Sequence, residues 1–231
     1  MMRLTLLTLN LAGYKDWSKR QASIVKALNQ TSADIVFLQE VRYDLSISPL
    51  NQAEFINSLL ATPYEYSVSD ISRFYMPSVG EPYREGLAIL SRLPLYNPET
   101  LALTKAPDDK HTRIIQSTDV TIDGAPFRLT NVHFSNNQYS ASQLRETLDI
   151  LDIRNEPNLI AGDFNIFDIN MQRSLFEDSY VASTDITAYV SFPSENATLD
   201  YILFPKKLRY ISVKTIERLS DHNGILAIAE L

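Results

Sequence analysis

Leucines broken by threonines run from Arg3 to Asn10, a pattern that predicts a strand and lacks the unbroken apolar segment of a signal peptide. From Trp17 to Gln30 the period changes: Ile24, Val25 and Leu28 recur at helical spacing, with Asp16 or Ser18 as candidate caps. An apolar run over Asp34–Val41, ending in Gln39-Glu40, predicts the next strand. A helix over Gln52–Leu60 and a strand over Tyr64–Asp70 follow, leading into a loop from Ile71 to Glu85 that holds Pro77, Gly80 and Pro82. Strands are then predicted over Gly86–Ser91, Leu95–Leu103, Arg113–Ile122 and Phe127–Phe134, with Asp123-Gly124 as a hairpin turn between the last two. A helix over Ala141–Leu151 precedes further β segments at Asn158–Gly162, Leu199–Phe204, Ile211–Ile216 and Ile225–Ala229. This order predicts two β-sheets packed face to face with helices outside.

With 231 residues, 45% hydrophobic, the chain can fill a substantial core, and neither a linker nor a repeat divides it, so one domain over residues 1–231 is expected. No apolar run approaches the roughly 20 residues of a membrane-spanning helix, so no integral membrane contact is expected. Lys and Arg number 21 against 28 Asp and Glu, a net charge of −7, which excludes holding a polyanion by bulk positive charge. Any such ligand must meet a local basic patch or a metal ion. Cysteine is absent, which removes disulfides, thiolate nucleophiles and cysteine-ligated metals, and a cytoplasmic setting is the expectation.

The polar residues that stand out lie at the ends of apolar strands, where side chains can converge on a cleft. Asn10 and Glu40 end the first two strands, His133 lies near the end of the Phe127 strand, and Asp163 with Asn165 follows Leu159-Ile160-Ala161-Gly162. Asp200 opens the next strand, and Asp221-His222 precedes the last. Singly, each reads as a turn former, a cap or a surface imidazole.

Taken in order, Leu7-Thr8-Leu9-Asn10, Leu38-Gln39-Glu40-Val41, Glu85-Gly86-Leu87-Ala88-Ile89-Leu90-Ser91-Arg92, Asn131-Val132-His133-Phe134, Gly162-Asp163-Phe164-Asn165, Leu199-Asp200-Tyr201-Ile202 and Ser220-Asp221-His222 resemble the motifs of the endonuclease/exonuclease/phosphatase superfamily, typified by DNase I and exonuclease III. The resemblance implies an α/β fold, a four-layer α/β/β/α sandwich of two packed, mainly antiparallel or mixed sheets with outer helices. It also implies hydrolysis of a phosphoester with a divalent metal. Glu40 is then the main metal ligand, helped by Asn10 and Asp221, and an oxygen-rich site without Cys suits Mg²⁺ or Mn²⁺ better than Zn²⁺. Asp163 would deprotonate or orient the attacking water, Asn165 would position water and phosphate, and His133 and His222 would contact the phosphate. Asp200 would orient His222.

Arg113 is a candidate substrate contact, although an Arg at a strand start is by default a solvated charge, and His111 reads as an exposed loop residue beside Asp108, Asp109 and Lys110. Arg73, Phe74, Tyr75 and Tyr83 flank the 71–85 loop and suit either base stacking or cover of a sheet edge. Superfamily members act on DNA, RNA, tyrosyl-DNA, inositol phosphates and sphingomyelin, so the motifs leave the substrate open. Leu9 before Asn10, and Thr198-Leu199 before Asp200, depart from the Trp and Arg of many abasic-site enzymes. Sphingomyelinase-like members are usually longer and secreted. The leading expectation is a metal-dependent phosphodiesterase with a nucleic acid or nucleotide-like substrate; a phosphatase or phospholipase C-like hydrolase and an inert binding scaffold are the alternatives.

Overall fold

A computed structural model of the chain describes residues 3–75, 82–105, 107, 109, 111–153 and 157–231. Pro77 and Gly80 of the expected loop, and Asp108 and Lys110 beside His111, lie outside the described residues.

The chain opens with β1 (Arg3–Asn10), α1 (Trp17–Thr31) and β2 (Ile35–Tyr43), continues through α2 (Gln52–Ser58), β3 (Glu65–Tyr75), β4 (Tyr83–Ser91), β5 (Tyr96–Ala102), β6 (Ile114–Ile122) and β7 (Ala125–His133), and then forms α3 (Ser140–Asp152) and β8 (Asn158–Asp163). The remainder supplies β9 (Tyr180–Ala182), β10 (Asp200–Pro205), β11 (Arg209–Ile216) and β12 (Gly224–Glu230), with short 3₁₀ turns at Ile169–Leu175, Ser183–Asp185 and Pro193–Glu195. These strands make two six-stranded sheets, ordered β11-β12-β1-β2-β4-β3 and β5-β6-β7-β8-β10-β9. Each sheet is antiparallel except for one parallel pair, β1 with β2 and β7 with β8, and each of those pairs is joined by a helix.

Side-chain alternation sorts the core into layers. Leu4, Leu6, Ile35 and Phe37 of one sheet meet Phe127, Leu129, Leu159, Ile202 and Phe204 of the other. Leu7, Leu9, Val36 and Leu38 turn the other way, onto Ile24 and Leu28 of α1 and Ile56 of α2. Val132, Ile160 and Leu203 pack on Leu144 and Leu151 of α3. The result is the expected α/β/β/α order. Toward one end of the sandwich the inter-sheet core turns polar: Gln39 donates to Asn131 Oδ1 at 2.7 Å, and Asn131 donates to the carbonyls of Leu38 and Ala88 at 3.0 Å. All of these groups are buried and paired, so they fix how one sheet sits on the other.

The Asp123-Gly124 turn forms as expected, with Ile122 opposite Ala125 and positive φ at both turn residues. Two expectations are corrected. The 71–85 stretch is strand at both ends, because Ile71–Tyr75 extends β3 through a bulge near Arg73 and pairs with Tyr83–Glu85 of β4. Helix α1 starts after Asp16, whose backbone is left-handed and whose side chain makes no cap bond. Among the described residues no helix is long and apolar enough to cross a membrane.

Candidate active site

Strand register brings the polar strand ends together. In the second sheet His133 is opposite Asp163, and Asp163 is opposite Asp200, which places three predicted residues side by side on β7, β8 and β10. Gly162 permits this approach, because a Cβ there would lie 2.0 Å from the Val132 carbonyl oxygen, and its φ is +148°. In the first sheet Asn10 is opposite Gln39, one residue before Glu40.

Glu40 is aimed by a bulge. Leu38 pairs with Ala88 and Val41 with Gly86, so Gln39 and Glu40 together face Leu87. Simple alternation would put Glu40 beside Leu38 under the helices. The bulge shifts the phase, Val41 takes the helix-facing place, and Glu40 lines the cleft with φ of +51°. A non-glycine residue held there costs on the order of 1–3 kcal/mol, local strain spent at the cleft.

The side chains form two hydrogen-bonded groups that face each other across Asp163. Asn10 Nδ2 donates to Glu40 Oε1 at 3.2 Å and to Asp163 Oδ2 at 3.0 Å. Asp163 Oδ1 accepts the Asn165 backbone N–H at 3.0 Å, and Asn165 Nδ2 donates to the Phe134 carbonyl at 2.9 Å. His222 Nδ1 is 2.7 Å from Asp200 Oδ2, while its Nε2 faces Asp163 Oδ2 at 3.9 Å; His133 Nε2 stands 3.7 Å from the same oxygen. Phe192 packs on the His222 ring at 4.7 Å between centroids. The surrounding cleft has a volume of about 460 Å³.

Burial decides the charges. Glu40 is pushed up by burial and by the charge of Glu85. Asp163 is raised by burial and then by Asp200. Burial alone would lower His222, but the charge and hydrogen bond of Asp200, with Asp163 beyond, outweigh it and lift the imidazole to about 9. His133 goes the other way, well below the ordinary histidine value, through burial and the positive charge of Arg113.

All the predicted catalytic residues converge here, as do Glu40 and Asp221, the latter paired with Lys15 at 3.0 Å. Asn10 lies between the carboxylates: its Oδ1 accepts the Ala12 N–H at 2.9 Å, and its amide nitrogen bridges Glu40 to Asp163. Arg113 is not a solvated strand-start charge; it is buried, bonded to Asp109 at 2.9 Å, and lines the cleft. His111 is likewise half-buried in the cleft wall and not exposed. Phe74 is exposed on the edge strand β3, the side chain of Tyr75 lies outside the described residues, and Tyr83 lies beneath Arg42, 4.2 Å from its guanidinium. Glu85, buried in the cleft and bonded to Arg42 at 2.9 Å, was not expected as a site residue; its signal was its place at the head of a matching segment.

The donor set suits a hard divalent cation. The cleft gathers the Glu40, Asp163 and Asp221 carboxyls without a cysteine, Asp200 keeps a buried Oδ1 with no protein partner, and Asp163, Asp200 and His222 offer ligand atoms within 4.8 Å of one another. Because His222 Nδ1 is engaged by Asp200, only Nε2 of that imidazole is open toward Asp163, and the Glu40 side is the freer place for a cation.

Asp109 offers a check on the neighbouring wall. Burial would raise its carboxyl, but bonds from Ser135, Arg113 and the His111 N–H prevail and hold it at about 2 against an ordinary 3.8. A depressed folded value contributes stability that is present above pH 3.8 and is lost as the pH falls toward 2. The gap in urea midpoint between wild type and Asp109→Asn is therefore expected to be wide at pH 6 and to close on acidification below about pH 4. A gap independent of pH would contradict the pairing.

The model of the endonuclease/exonuclease/phosphatase family matches residues 7–222. Among solved structures, an endonuclease/exonuclease/phosphatase family protein from Leptotrichia buccalis C-1013-b superposes with a TM-score of 0.79 at 17% identity, covering 99% of this chain and 100% of that one. The human Nocturnin catalytic domain with bound sulfate anion gives 0.74 at 18% identity, over 99% of this chain and 94% of that one. Humanized D. rerio TDP2 gives 0.71 at 16%, over 99% of each. At these identities the likeness is one of fold, the DNase I-like sandwich. No curated protein matches the sequence.

Proposed function

Because the chain belongs to the endonuclease/exonuclease/phosphatase family, whose members hydrolyse phosphoesters and commonly use divalent metals, we propose that it is a divalent-metal-dependent phosphodiesterase that cuts nucleic acid by attack of an activated water. The observation that carries this reading is the convergence of Glu40, bridged by Asn10 to Asp163, with the Asp200–His222 pair whose Nε2 faces Asp163 at 3.9 Å.

Glu40, with Asp221 and Asn10, would hold the cation, Mg²⁺ or Mn²⁺, which when bound would polarise the phosphate and neutralise developing charge. Asp163 takes the proton of the attacking water. Burial and Asp200 raise it toward neutrality, where a general base is most effective, and Asn10 and the Asn165 N–H fix its direction. The side chain of Asn165 spends one amide hydrogen on Phe134 and keeps its oxygen and second hydrogen for water and phosphate. His222, charged at neutral pH, donates from Nε2 to a phosphate oxygen while its Nδ1–H donates to Asp200, which fixes the orientation of the ring. His133 serves as an uncharged second donor.

The test is hydrolysis of a panel of single-stranded, duplex and abasic DNA, RNA, inositol phosphates and sphingomyelin, with and without metal. Excess EDTA is expected to abolish cleavage and Mg²⁺ or Mn²⁺ to restore it. Glu40→Gln should raise the metal concentration for half-maximal activity by about tenfold or more, since it removes the ligand's charge and keeps its shape. Full activity in EDTA would refute the metal requirement, and turnover of inositol phosphates or sphingomyelin alone would refute the nucleic acid substrate.

A further inference from the structure

The cleft differs from end to end, and strand order gives that difference a scale. Both arginines that line it, Arg73 and Arg113, lie at the end made by β3 and the start of β6, together with His111 and Ser72. The two sheets are tied there by the Thr112 N–H bonded to the Ser72 carbonyl at 3.0 Å and by Gln116 bonded to Ser67 at 3.2 Å. In the second sheet β6, β7 and β8 are consecutive neighbours. The backbone of Arg113, just before β6, is thus two strand spacings, or about 10 Å, from that of Asp163 on β8. Arg73 is on β3, the edge strand of the first sheet.

Among the described lining residues this end holds two guanidiniums and one carboxylate: Arg73 and Arg42 share Glu85 at 4.0 and 2.9 Å, and Arg113 is engaged from behind by Asp109 at 2.9 Å. His111, kept uncharged by burial and by Arg113 and Arg73, adds a neutral donor. The opposite end, on the loop before β10, presents Phe192, Glu195 and Leu199, with no Lys or Arg among the described lining residues. A backbone continuing past Glu195 would bring its next phosphate against a carboxylate.

Resting on the phosphodiesterase reading above, we infer that Arg73, Arg113 and His111 form a second phosphate subsite, and that the substrate carries a further phosphoryl group on one side only of the phosphate being cut. The other side is an uncharged group seated against Phe192 and Leu199. Arginine is suited to the subsite because its fork binds phosphate oxygens in pairs. The end of a nucleic acid strand and a free phosphorylated nucleotide share this chemistry.

The experiment compares kcat/KM for a dinucleotide with that for the same dinucleotide bearing a 5′-phosphate, a 3′-phosphate or both, with Mg²⁺ or Mn²⁺ present. One terminal phosphate is expected to raise kcat/KM by about tenfold or more, and the other to give no gain. In Arg73→Ala that ratio should fall close to one, and Arg73→Lys should restore part of it. Because the ratio is taken within one protein, any general loss of folding or chemistry cancels. Equal gains from both phosphates, no gain from either, or a ratio that survives Arg73→Ala would overturn the subsite and leave the phosphodiesterase reading intact. Failure to cut any of the four by protein active on another phosphoester would overturn both. A phosphorylated pentanucleotide cut as well as the dinucleotide identifies a strand end as the source, and one that is refused identifies a free nucleotide; both results uphold the subsite.

Discussion

Asp163→Asn is expected to lower kcat by about three orders of magnitude while KM changes little, a size set by what a positioned general base contributes. The substitution preserves volume at a buried position, and the Asn165 N–H can still bond to the remaining oxygen, so the fold should persist. What it removes is the capacity to take a proton. Asp163 is the point where the two groups converge: Asn10 bonds the same Oδ2 that His133 and His222 face at 3.7 and 3.9 Å. Single-turnover cleavage under saturating metal isolates the chemical step, and thermal unfolding checks that the variant is folded. A loss of less than about tenfold would move the base elsewhere and leave Asp163 as a structural carboxylate.

The strand-end residues are legible in the sequence only as an ordered set, since each alone is an ordinary turn former or cap, and register then fixes which of them are neighbours. β1 has its expected bounds, and β7, β8 and β10 deliver His133, Asp163 and Asp200 in one row. Features that depend on two distant segments were not legible. The Glu40 bulge leaves no mark in the local pattern, since Gln39-Glu40 reads as an ordinary strand exit. Arg113 and His111 look solvated until the Ser72 carbonyl of β3 captures Thr112 between them and folds both into the wall. The strand nature of Ile71–Tyr75 was hidden because its alternation is weak and its pairing comes from β4 across a Pro- and Gly-containing stretch. β9 is only Tyr180–Ala182, too short for periodicity to register.

His222 and Asp200 are expected to behave as one unit. His222→Ala should cut kcat by about 10³-fold, Asp200→Ala nearly as much, and the double variant little more than either, because once the donor is lost its orienting partner has nothing left to act on. The 2.7 Å contact from Nδ1 to Asp200 Oδ2 carries this argument, and so does the anchoring of Asp200, whose backbone N–H donates to Ser191 Oγ at 3.0 Å. Asp200 is fully buried, so its truncation risks the fold, and Asp200→Asn supplies the second variant. Asn keeps an acceptor for Nδ1 but no charge. In protein stripped of metal, the His222 imidazole should fall from about 9, followed by NMR titration. The direction follows from the signs: burial lowers the imidazole, the carboxylates of Asp200, Asp163 and Asp221 raise it, and the largest of these raising charges, Asp200, is removed. The activity of Asp200→Asn at neutral pH should fall with the loss of the charged donor. Losses that multiply strictly across the cycle, or a His222 titration that Asp200→Asn leaves unmoved, would reduce Asp200 to a buried structural residue and leave His222 to act without it.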